Sequence, residues 1–312
     1  STSRKYEQVN GIGKFGTINP IIVGKHGGKT NVNKLLASLD RSKLLTKKIE
    51  KEKPDLLVSF CSPEGSRVAY GLGIPHIAFS DSPQAKAVMK LSLPYVSKLL
   101  TPWIFPKIDF KEFGINSRDI IRYRSIDAGV IIKNYKKSKV KKLGYKKTIL
   151  IRPEESEAAY MRKKSVTKKI IDKIVTEFPD EEKIVLSRYK GQTAELKKVF
   201  GGKIKILSKP VNGKEILSNV DCFIGSGGTM TAEAGLLGIP TISLNVVPNR
   251  IEDYLVKNNI VVRSESPDRI SKEVFRALND GNIVKRRKQK ARKLVASFED
   301  PYQVLLRTIR AL

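Results

Sequence analysis

The chain has 312 residues, 40% of them hydrophobic, which is enough to bury the cores of two domains and excludes a wholly disordered protein. It contains no apolar run near the ~18 residues of a membrane-spanning helix, and its two cysteines form no disulfide framework, so we expect a cytoplasmic protein. Lys plus Arg number 60 against 31 Asp plus Glu, and this net charge of +29 favours an anionic partner, either a membrane surface, nucleic acid or a phosphate-rich substrate.

The first part of the chain alternates short apolar runs with segments of helical period. Such alternation predicts a parallel sheet with helices on both faces. The predicted strands are 19–23, 54–60, 74–79 and 99–101, and the predicted helices are 32–51, 65–71 and 83–98.

A basic segment, residues 133–147, carries eight lysines and no acid and is interpreted as a linker between two domains. A second alternating series follows it, with strands at 148–152, 183–188, 203–207 and 260–263 and helices at 166–177, 194–200, 213–218, 251–258 and 267–278. A basic helix then reaches Phe298, Pro301 interrupts it, and 302–312 resumes. A lysine-rich thermophile surface remains an alternative explanation for the charge, although the acids do not keep pace with the lysines.

The segment from Asp221 to Leu244 predicts a strand, a glycine turn, a helix and a second strand. Its turn places backbone N–H groups at a helix N-terminus, where the helix dipole favours an anion such as a diphosphate. Glu233, one turn into the helix, is placed to accept hydrogen bonds from ribose hydroxyls. A plain strand–helix connection is the alternative. The turn and the start of the helix are Gly225, Ser226, Gly227, Gly228 and Thr229.

This segment resembles the nucleotide-sugar signature of two GT-B families, through Ser226, Gly227, Gly228, Glu233, Ala234, Gly238 and Pro240. One family is the transferase that adds N-acetylglucosamine to the lipid intermediate of peptidoglycan, and the other is the UDP-N-acetylglucosamine 2-epimerases. The chain is most similar to a third, archaeal and bacterial GT-B-like family catalogued as a domain of unknown function. In the two characterised families the glutamate that matches Glu233 holds the ribose.

The resemblance implies a GT-B fold: two Rossmann-like domains that face each other across a cleft, with a C-terminal helix crossing back to the N-terminal domain. It implies that a first strand and helix precede the position of Ser1. We expect an acceptor domain at 1–132 and a basic linker at 133–147. A nucleotide-sugar domain at 148–297 and the returning helix at 298–312 follow.

Residues that follow predicted strands are the candidate ligand contacts, because ligands of doubly wound folds bind at the carboxyl ends of strands. In the second half, Arg152 and Arg188 suit bidentate contact with a diphosphate, with a surface salt bridge as the alternative for each. The uncharacterised family shares the Arg-Pro-Glu at 152–154.

In the first half, residues 24–29 form a glycine turn between a strand and a helix. Its side chains suit an acceptor phosphate, and His26 is a candidate base. Glu64 and Asp81 each follow a strand and are candidate base and acid, whereas His76 lies in an apolar strand and is expected to be structural. The residues expected to bind the acceptor phosphate are Lys25, Gly27, Gly28 and Lys29.

Two departures argue against 2-epimerisation. Phe60-Cys61 stands where the epimerases have Gly-Asp, and 247–250 replaces their Glu-Arg-Pro-Glu. We therefore expect a metal-independent GT-B glycosyltransferase that uses a UDP-sugar without any other cofactor, with a lipid-linked or phosphate-bearing acceptor at the inner membrane face. The alternatives are a nucleic-acid-binding protein on the same scaffold, for which no recognisable module is present, and a nucleotide-sugar epimerase or hydrolase.

Overall fold

The computed structural model describes residues 1–5, 20–28, 30–135, 146–154, 167–208, 211–244, 246 and 249–312. It is a mixed α/β protein in which the paired strands run parallel, which confirms the predicted fold class. The chain forms two compact units: the first comprises Ser1–Ser125 and Glu299–Leu312, and the second comprises Ile126–Phe298. Most of the predicted basic linker lies outside the described residues.

The first unit contains two parallel sheets, one pairing β1 with β2 and one in the order β3-β4-β5-β6. Strand β1 is absent from the sequence-based prediction because its residues, Thr-Ser-Arg-Lys, include no apolar side chain. The strands are β1 Thr2–Lys5, β2 Ile21–Lys25, β3 Leu57–Ser59, β4 His76–Phe79, β5 Lys98–Pro102 and β6 Ile120–Tyr123.

Helices of the first unit connect these strands, and apolar side chains of β2 and the first helix share a core cluster through Val23, Leu45 and Ile49. The predicted helix 83–98 is shorter in the structure: it stops at Ser92, and a 3-10 turn containing Pro94 follows, since proline cannot donate to a continuing helix. The helices are α1 Asn31–Glu52, α2 Pro63–Gly71, α3 Lys86–Ser92 and α4 Ile108–Lys111.

The second unit is built on one six-stranded parallel sheet in the order β12-β11-β10-β7-β8-β9. The chain builds outward from β7 through β8 to β9, and then from β10 through β11 to β12 on the other side. This reversal between β7 and β10 opens a crevice at the carboxyl ends of those two strands. The strands are β7 Thr148–Arg152, β8 Glu182–Leu186, β9 Lys205–Leu207, β10 Cys222–Gly225, β11 Thr241–Ser243 and β12 Val262–Arg263.

Helices cover both faces of this sheet, because alternate residues of β7 belong to different hydrophobic core clusters. Ile149 and Ile151 lie in one cluster, and Leu150 lies in the other. Helix α5 belongs to this unit, whereas the boundary expected at residue 132 assigned it to the first. The helices are α5 Asp127–Lys133, α6 Thr167–Glu177, α7 Lys190–Phe200, α8 Gly213–Leu217, α9 Thr229–Leu236, α10 Arg250–Lys257, α11 Pro267–Asn279 and α12 Gly281–Ala296.

The C-terminal helix, α13 (Pro301–Arg310), belongs to the first unit, where Val304 packs with Ile77 and Leu100. The sequence predicts an interruption at Pro301, and the structure has two separate helices there. The side chain of Asp300 caps α13 by accepting a hydrogen bond from the Tyr302 N–H at 2.9 Å. Pro301 lies in the first turn, where a backbone N–H would have no acceptor within the helix, so proline is tolerated there. Among the described residues no helix has the length and apolar character needed to cross a membrane.

Candidate functional site

The crevice of the second unit is formed where β7 and β10 end side by side. In the register of these strands Gly225 pairs with Arg152, so the loops that follow both strands lie next to each other. The Ser226 hydroxyl donates to the Pro153 carbonyl at 3.5 Å, which links the two loops. The structure therefore brings the predicted Arg-Pro-Glu segment and the glycine turn together.

The glycine turn between β10 and α9 requires glycine at two positions. Gly227 has φ of +101° and Gly228 has φ of +83°, backbone conformations that side-chain-bearing residues rarely adopt. Gly228 is the N-cap of α9, and no side chain caps the helix there. The first N–H groups of α9 thus lack the side-chain acceptor that caps usually supply, and the helix dipole at this end, near Thr229, favours negative charge.

A buried carboxylate, Glu252 in the first turn of α10, faces this turn. Its Oε1 accepts from the Arg263 Nε at 3.0 Å, whereas its Oε2 has no hydrogen-bond partner within the described part of the chain. A Cβ added to Gly227 would lie 2.8 Å from that Oε2, so the oxygen is aimed at the turn. Because a buried carboxylate oxygen without a donor is costly, this oxygen is open to a donor from outside the described residues, and a hydroxyl or amide would suit it.

Glu233 lies in α9, half-buried, one turn after the glycines. Burial raises the pKa of this carboxyl above its usual range, and the nearby Lys214 ammonium partly opposes that rise. A Cβ added to Gly213 would lie 3.6 Å from the Glu233 Oε2, so the carboxylate faces the start of α8. A carboxylate in this position is a good acceptor for paired hydroxyls such as those of a ribose.

The two predicted arginines are tethered to carbonyls beside the crevice. Arg152 Nη1 donates to the carbonyls of Leu186 at 3.1 Å and Ser187 at 3.3 Å, and Arg188 Nε donates to the carbonyl of Pro153 at 3.1 Å. These contacts join the loops after β7 and β8.

The predicted turn of the first unit follows β2 and is satisfied by its own atoms. The Gly28 N–H donates to His26 Nδ1 at 3.1 Å, and the Thr30 side chain caps α1 by accepting from the Asn33 N–H at 3.2 Å. Gly27 packs tightly on α1, since an added Cβ would lie 2.5 Å from the Asn33 carbonyl oxygen. Lys25 and His26 are exposed, and Lys29 lies outside the described residues.

Glu64, a candidate catalytic residue, is buried in an ion-pair network. It accepts from Arg4 at 2.7 and 3.0 Å and from the Ser38 hydroxyl at 2.8 Å, and Arg41 Nε lies 3.8 Å away. These partners fix the carboxylate to β1 and α1, so its geometry favours a structural role over proton transfer. Sequence reasoning missed the network because Arg4 is 60 positions away in the chain.

Asp81, the other candidate carboxylate, is half-buried after β4, and its Oδ1 accepts from the neighbouring Ser82 hydroxyl at 2.8 Å. Glu64, by contrast, contacts β1, α1 and the start of α2, and the two carboxylates share no hydrogen-bond partner among the described residues.

Three further groups have structural environments. His76 is buried, its Nε2 lies 2.9 Å from the Ser59 hydroxyl, and burial lowers its pKa to about 4. Cys61 and Cys222 are unpaired and buried, and burial raises the pKa of each thiol to about 12. The described residues include no group of three or more His, Cys, Asp or Glu arranged to hold a metal ion.

Comparisons with known proteins place this geometry in a family context. A family model described as Protein of unknown function (DUF354) matches residues 1–311. Uncharacterized protein MJ0665 of Methanocaldococcus jannaschii is 29% identical over 309 residues, with 92% of this chain and 82% of that protein covered.

Two solved structures share the fold at low sequence identity. The UDP-GlcNAc 2-epimerase of Neisseria meningitidis bound to UDP-GlcNAc superimposes with a TM-score of 0.70 at 12% identity, covering 100% of this chain and 91% of that chain. The spinosyn forosaminyltransferase SpnP superimposes with a TM-score of 0.61 at 15% identity, covering 97% and 88%. The GT-B fold predicted from the signature segment is confirmed by these likenesses.

Proposed function

Because the chain belongs to the DUF354 family and has the fold of enzymes that act on nucleotide sugars, we propose that it is a glycosyltransferase using a nucleotide-diphosphate sugar, with UDP as the nucleotide. One observation carries the proposal: the uncapped helix N-terminus at Gly227–Thr229, with the unpartnered Glu252 oxygen aimed at it. The turn suits a diphosphate, and the open oxygen suits a hydroxyl attached to it.

In the proposed donor complex the diphosphate sits on the N–H groups that begin α9. Arg152 and Arg188, at the ends of β7 and β8, add positive charge to the crevice. Glu233 accepts from the ribose hydroxyls. Glu252 would repel a bare phosphate, but its pairing with Arg263 offsets its charge, and its open oxygen can accept from a sugar hydroxyl.

In the mechanism we propose, the main role of the donor site is to bind the diphosphate that leaves. The acceptor hydroxyl loses its proton to His26 or Asp81, its oxygen bonds to the anomeric carbon, and the bond from that carbon to the diphosphate breaks with inversion. Negative charge develops on the departing diphosphate, where the N-terminus of α9 stabilises it. Glu64 is the third candidate base, and its ion pairs with Arg4 and Arg41 disfavour it.

The acceptor we propose bears a phosphate, free or lipid-linked, bound by the turn of the first unit. Lys25 and Gly28 are exposed there, whereas Gly27 packs on α1 and the Gly28 N–H donates to His26, so Lys25 is the main phosphate contact that we assign within the described residues. Lys29 completes this assignment from the sequence. The exposed His26 is in the same turn and is therefore placed beside such an acceptor.

Calorimetry tests the donor assignment. The wild-type protein and Glu233→Ala are titrated with UDP, GDP, UDP-glucose, UDP-GlcNAc and a short RNA duplex at low and moderate salt. We expect saturable, salt-tolerant binding of a UDP-sugar that is strongly weakened in the variant. Binding of RNA alone, lost as salt rises, would refute the nucleotide-sugar function and support a nucleic-acid-binding protein.

A second assay separates transfer from epimerisation, which the epimerase-like fold makes the main competing reaction. The protein is incubated with the UDP-sugar that binds, without acceptor, and C2 of the sugar is followed by NMR in deuterated buffer. A transferase leaves C2 unexchanged, and an epimerase incorporates deuterium there. Adding EDTA should leave turnover with acceptor unchanged, since the proposed mechanism places no metal in the site.

A further inference from the structure

Helix α12 has one face on which the exposed charges are all positive. Its 16 residues include seven cations and no acid. One cation, Arg287, pairs with Glu273 at 3.2 Å. The other six are exposed, and within the described residues none has a carboxylate partner; they are Lys285, Arg286, Lys288, Lys290, Arg292 and Lys293.

This arrangement differs from that of α1, the other long lysine-rich helix. Helix α1 interleaves its lysines with acids, and Lys48 pairs with Glu52 at 2.7 Å. In α12 like charges stand three or four residues apart, for example at Arg286 and Lys290, and such pairs destabilise a helix. An arrangement that opposes the helix's own stability is better explained by an external anion than by solvation.

The cations are far from the proposed nucleotide site. An added Cβ on Gly238 would lie 2.7 Å from the Lys288 Cα, so α12 packs against the loop that follows α9. The diphosphate is assigned to the other end of α9, a helix of eight residues and about 12 Å. Because the cationic face adjoins the C-terminal end of α9, its anion is not the nucleotide.

We propose that this cationic face of α12 docks the protein on an anionic lipid bilayer. The helix lies along the body of its unit, with Ala291 buried beneath it, and therefore presents a shallow row of charges rather than a helix that projects into a groove. Four of the six cations are lysines, whose point charges adapt to mobile headgroups, and α12 contains no aromatic ring on which a nucleic-acid base would stack. The inference goes beyond the proposed function and does not depend on it.

Vesicle co-sedimentation with the full chain tests this surface. The vesicles are phosphatidylcholine alone or with about 30 mol% phosphatidylglycerol, at about 50 and 200 mM salt. The test variant changes Lys285, Lys288, Lys290 and Lys293 to Gln. The control makes the same charge change on α1, with Lys34, Lys43, Lys47 and Lys51, which are also exposed, changed to Gln.

We expect wild type to bind only the anionic vesicles, with binding at least about tenfold weaker in the α12 variant and about the wild-type affinity in the α1 variant. Equal loss in both variants, or no binding by wild type, would overturn the proposal. So would an RNA duplex that binds more tightly than the vesicles and depends on α12. Thermal unfolding checks that both variants fold, and Glu233→Ala should bind vesicles as wild type does, which separates this surface from the nucleotide site.

Discussion

The two units each place a glycine turn between a parallel strand and a helix, and the two turns differ in what their polar groups contact. After β2, the Gly28 N–H is taken by His26 and the start of α1 is capped by Thr30. After β10, the described residues supply no side-chain cap for the start of α9 and no donor for a buried carboxylate oxygen nearby. Two polar groups of the first turn thus have partners within the turn or the adjoining helix start, whereas the second turn offers an uncapped helix start beside an open carboxylate oxygen.

This difference teaches that glycine content alone does not identify an anion site. Both turns contain positive-φ glycines, Gly24 and Gly28 in one and Gly227 and Gly228 in the other. The distinguishing observation is the state of the polar groups around them, because buried donors and acceptors are almost always paired in folded proteins.

The largest effect that distinguishes the two turns should come from adding one methyl group to each. Gly227→Ala places a Cβ 2.8 Å from Glu252 Oε2, at a position whose backbone φ is +101°. Because both the contact and the backbone are then strained, we expect the variant to weaken UDP binding by at least about 100-fold. In Gly28→Ala the added Cβ meets no described atom within 4 Å, so the only cost is backbone strain. We expect the free energy of unfolding, measured with denaturant, to fall by about 1 kcal/mol and the affinity for UDP to stay unchanged. Equal losses of affinity in the two variants would remove the distinction between the turns.

A smaller effect is expected at Glu233, which the account assigns to ribose. Glu233→Ala should weaken UDP binding by about 30-fold, or ~2 kcal/mol, because two hydrogen bonds to a charged acceptor are lost. A UDP analogue without ribose hydroxyls should bind wild type and variant alike by calorimetry. If the variant weakens the analogue as much as it weakens UDP, Glu233 does not contact the ribose.

Acid should act with opposite sign on two buried groups, His76 in the first unit and Glu233 in the second. Burial lowers the pKa of His76 to about 4, so between the ordinary histidine pKa and pH 4 the native state binds fewer protons than the unfolded chain. As pH falls across that window, this group lowers the free energy of unfolding by about 3 kcal/mol. The pKa of Glu233 is raised, so its ionisation destabilises the native state as pH rises, and Glu233→Gln should stabilise the protein at neutral pH.

Urea unfolding as a function of pH measures the contributions of His76 and Glu233 to the free energy of unfolding. His76→Gln should reduce the loss of stability between the ordinary histidine pKa and pH 4, and Glu233→Gln should leave that loss in place while gaining stability near pH 7. A wild-type slope retained by His76→Gln would show that other groups in the first unit set its acid sensitivity.

The smallest expected effect concerns Glu252. Glu252→Gln should weaken binding of the UDP-sugar by about fivefold, or ~1 kcal/mol, because a charge-assisted hydrogen bond to a sugar hydroxyl is replaced by a neutral one. Calorimetry with UDP should show unchanged affinity. Tighter UDP binding with no loss for the UDP-sugar would mean that the carboxylate only repels the diphosphate.

The sequence predicted most of what is local in the second unit. Strand β7 has the predicted bounds, and the strand, turn and helix around Gly227 occur where expected, because glycines and an apolar run within a few residues determine them. In the first unit β1 was missed, since four polar residues give no strand pattern, and the predicted helix 83–98 stops early at a proline turn.

What the sequence did not reveal depends on residues brought together from distant positions. The pairing of Glu64 with Arg4 and Arg41 depends on β1 and α1 meeting the start of α2, and no spacing rule predicts it. The open oxygen of Glu252 likewise becomes visible only when α10 is placed against the turn after β10. Local motifs identified the candidate turn, and tertiary contacts showed which of its neighbours are available.

The central claim is that the turn of the second unit, and not that of the first, receives the diphosphate. A titration of the isotope-labelled protein with UDP, followed through the backbone amide resonances of both turns, tests it most directly. We expect saturable shifts at Gly227, Gly228 and Thr229, no shift at Gly28, and loss of all shifts in Gly227→Ala. Shifts at Gly28 without shifts at Gly227 and Gly228 would contradict it.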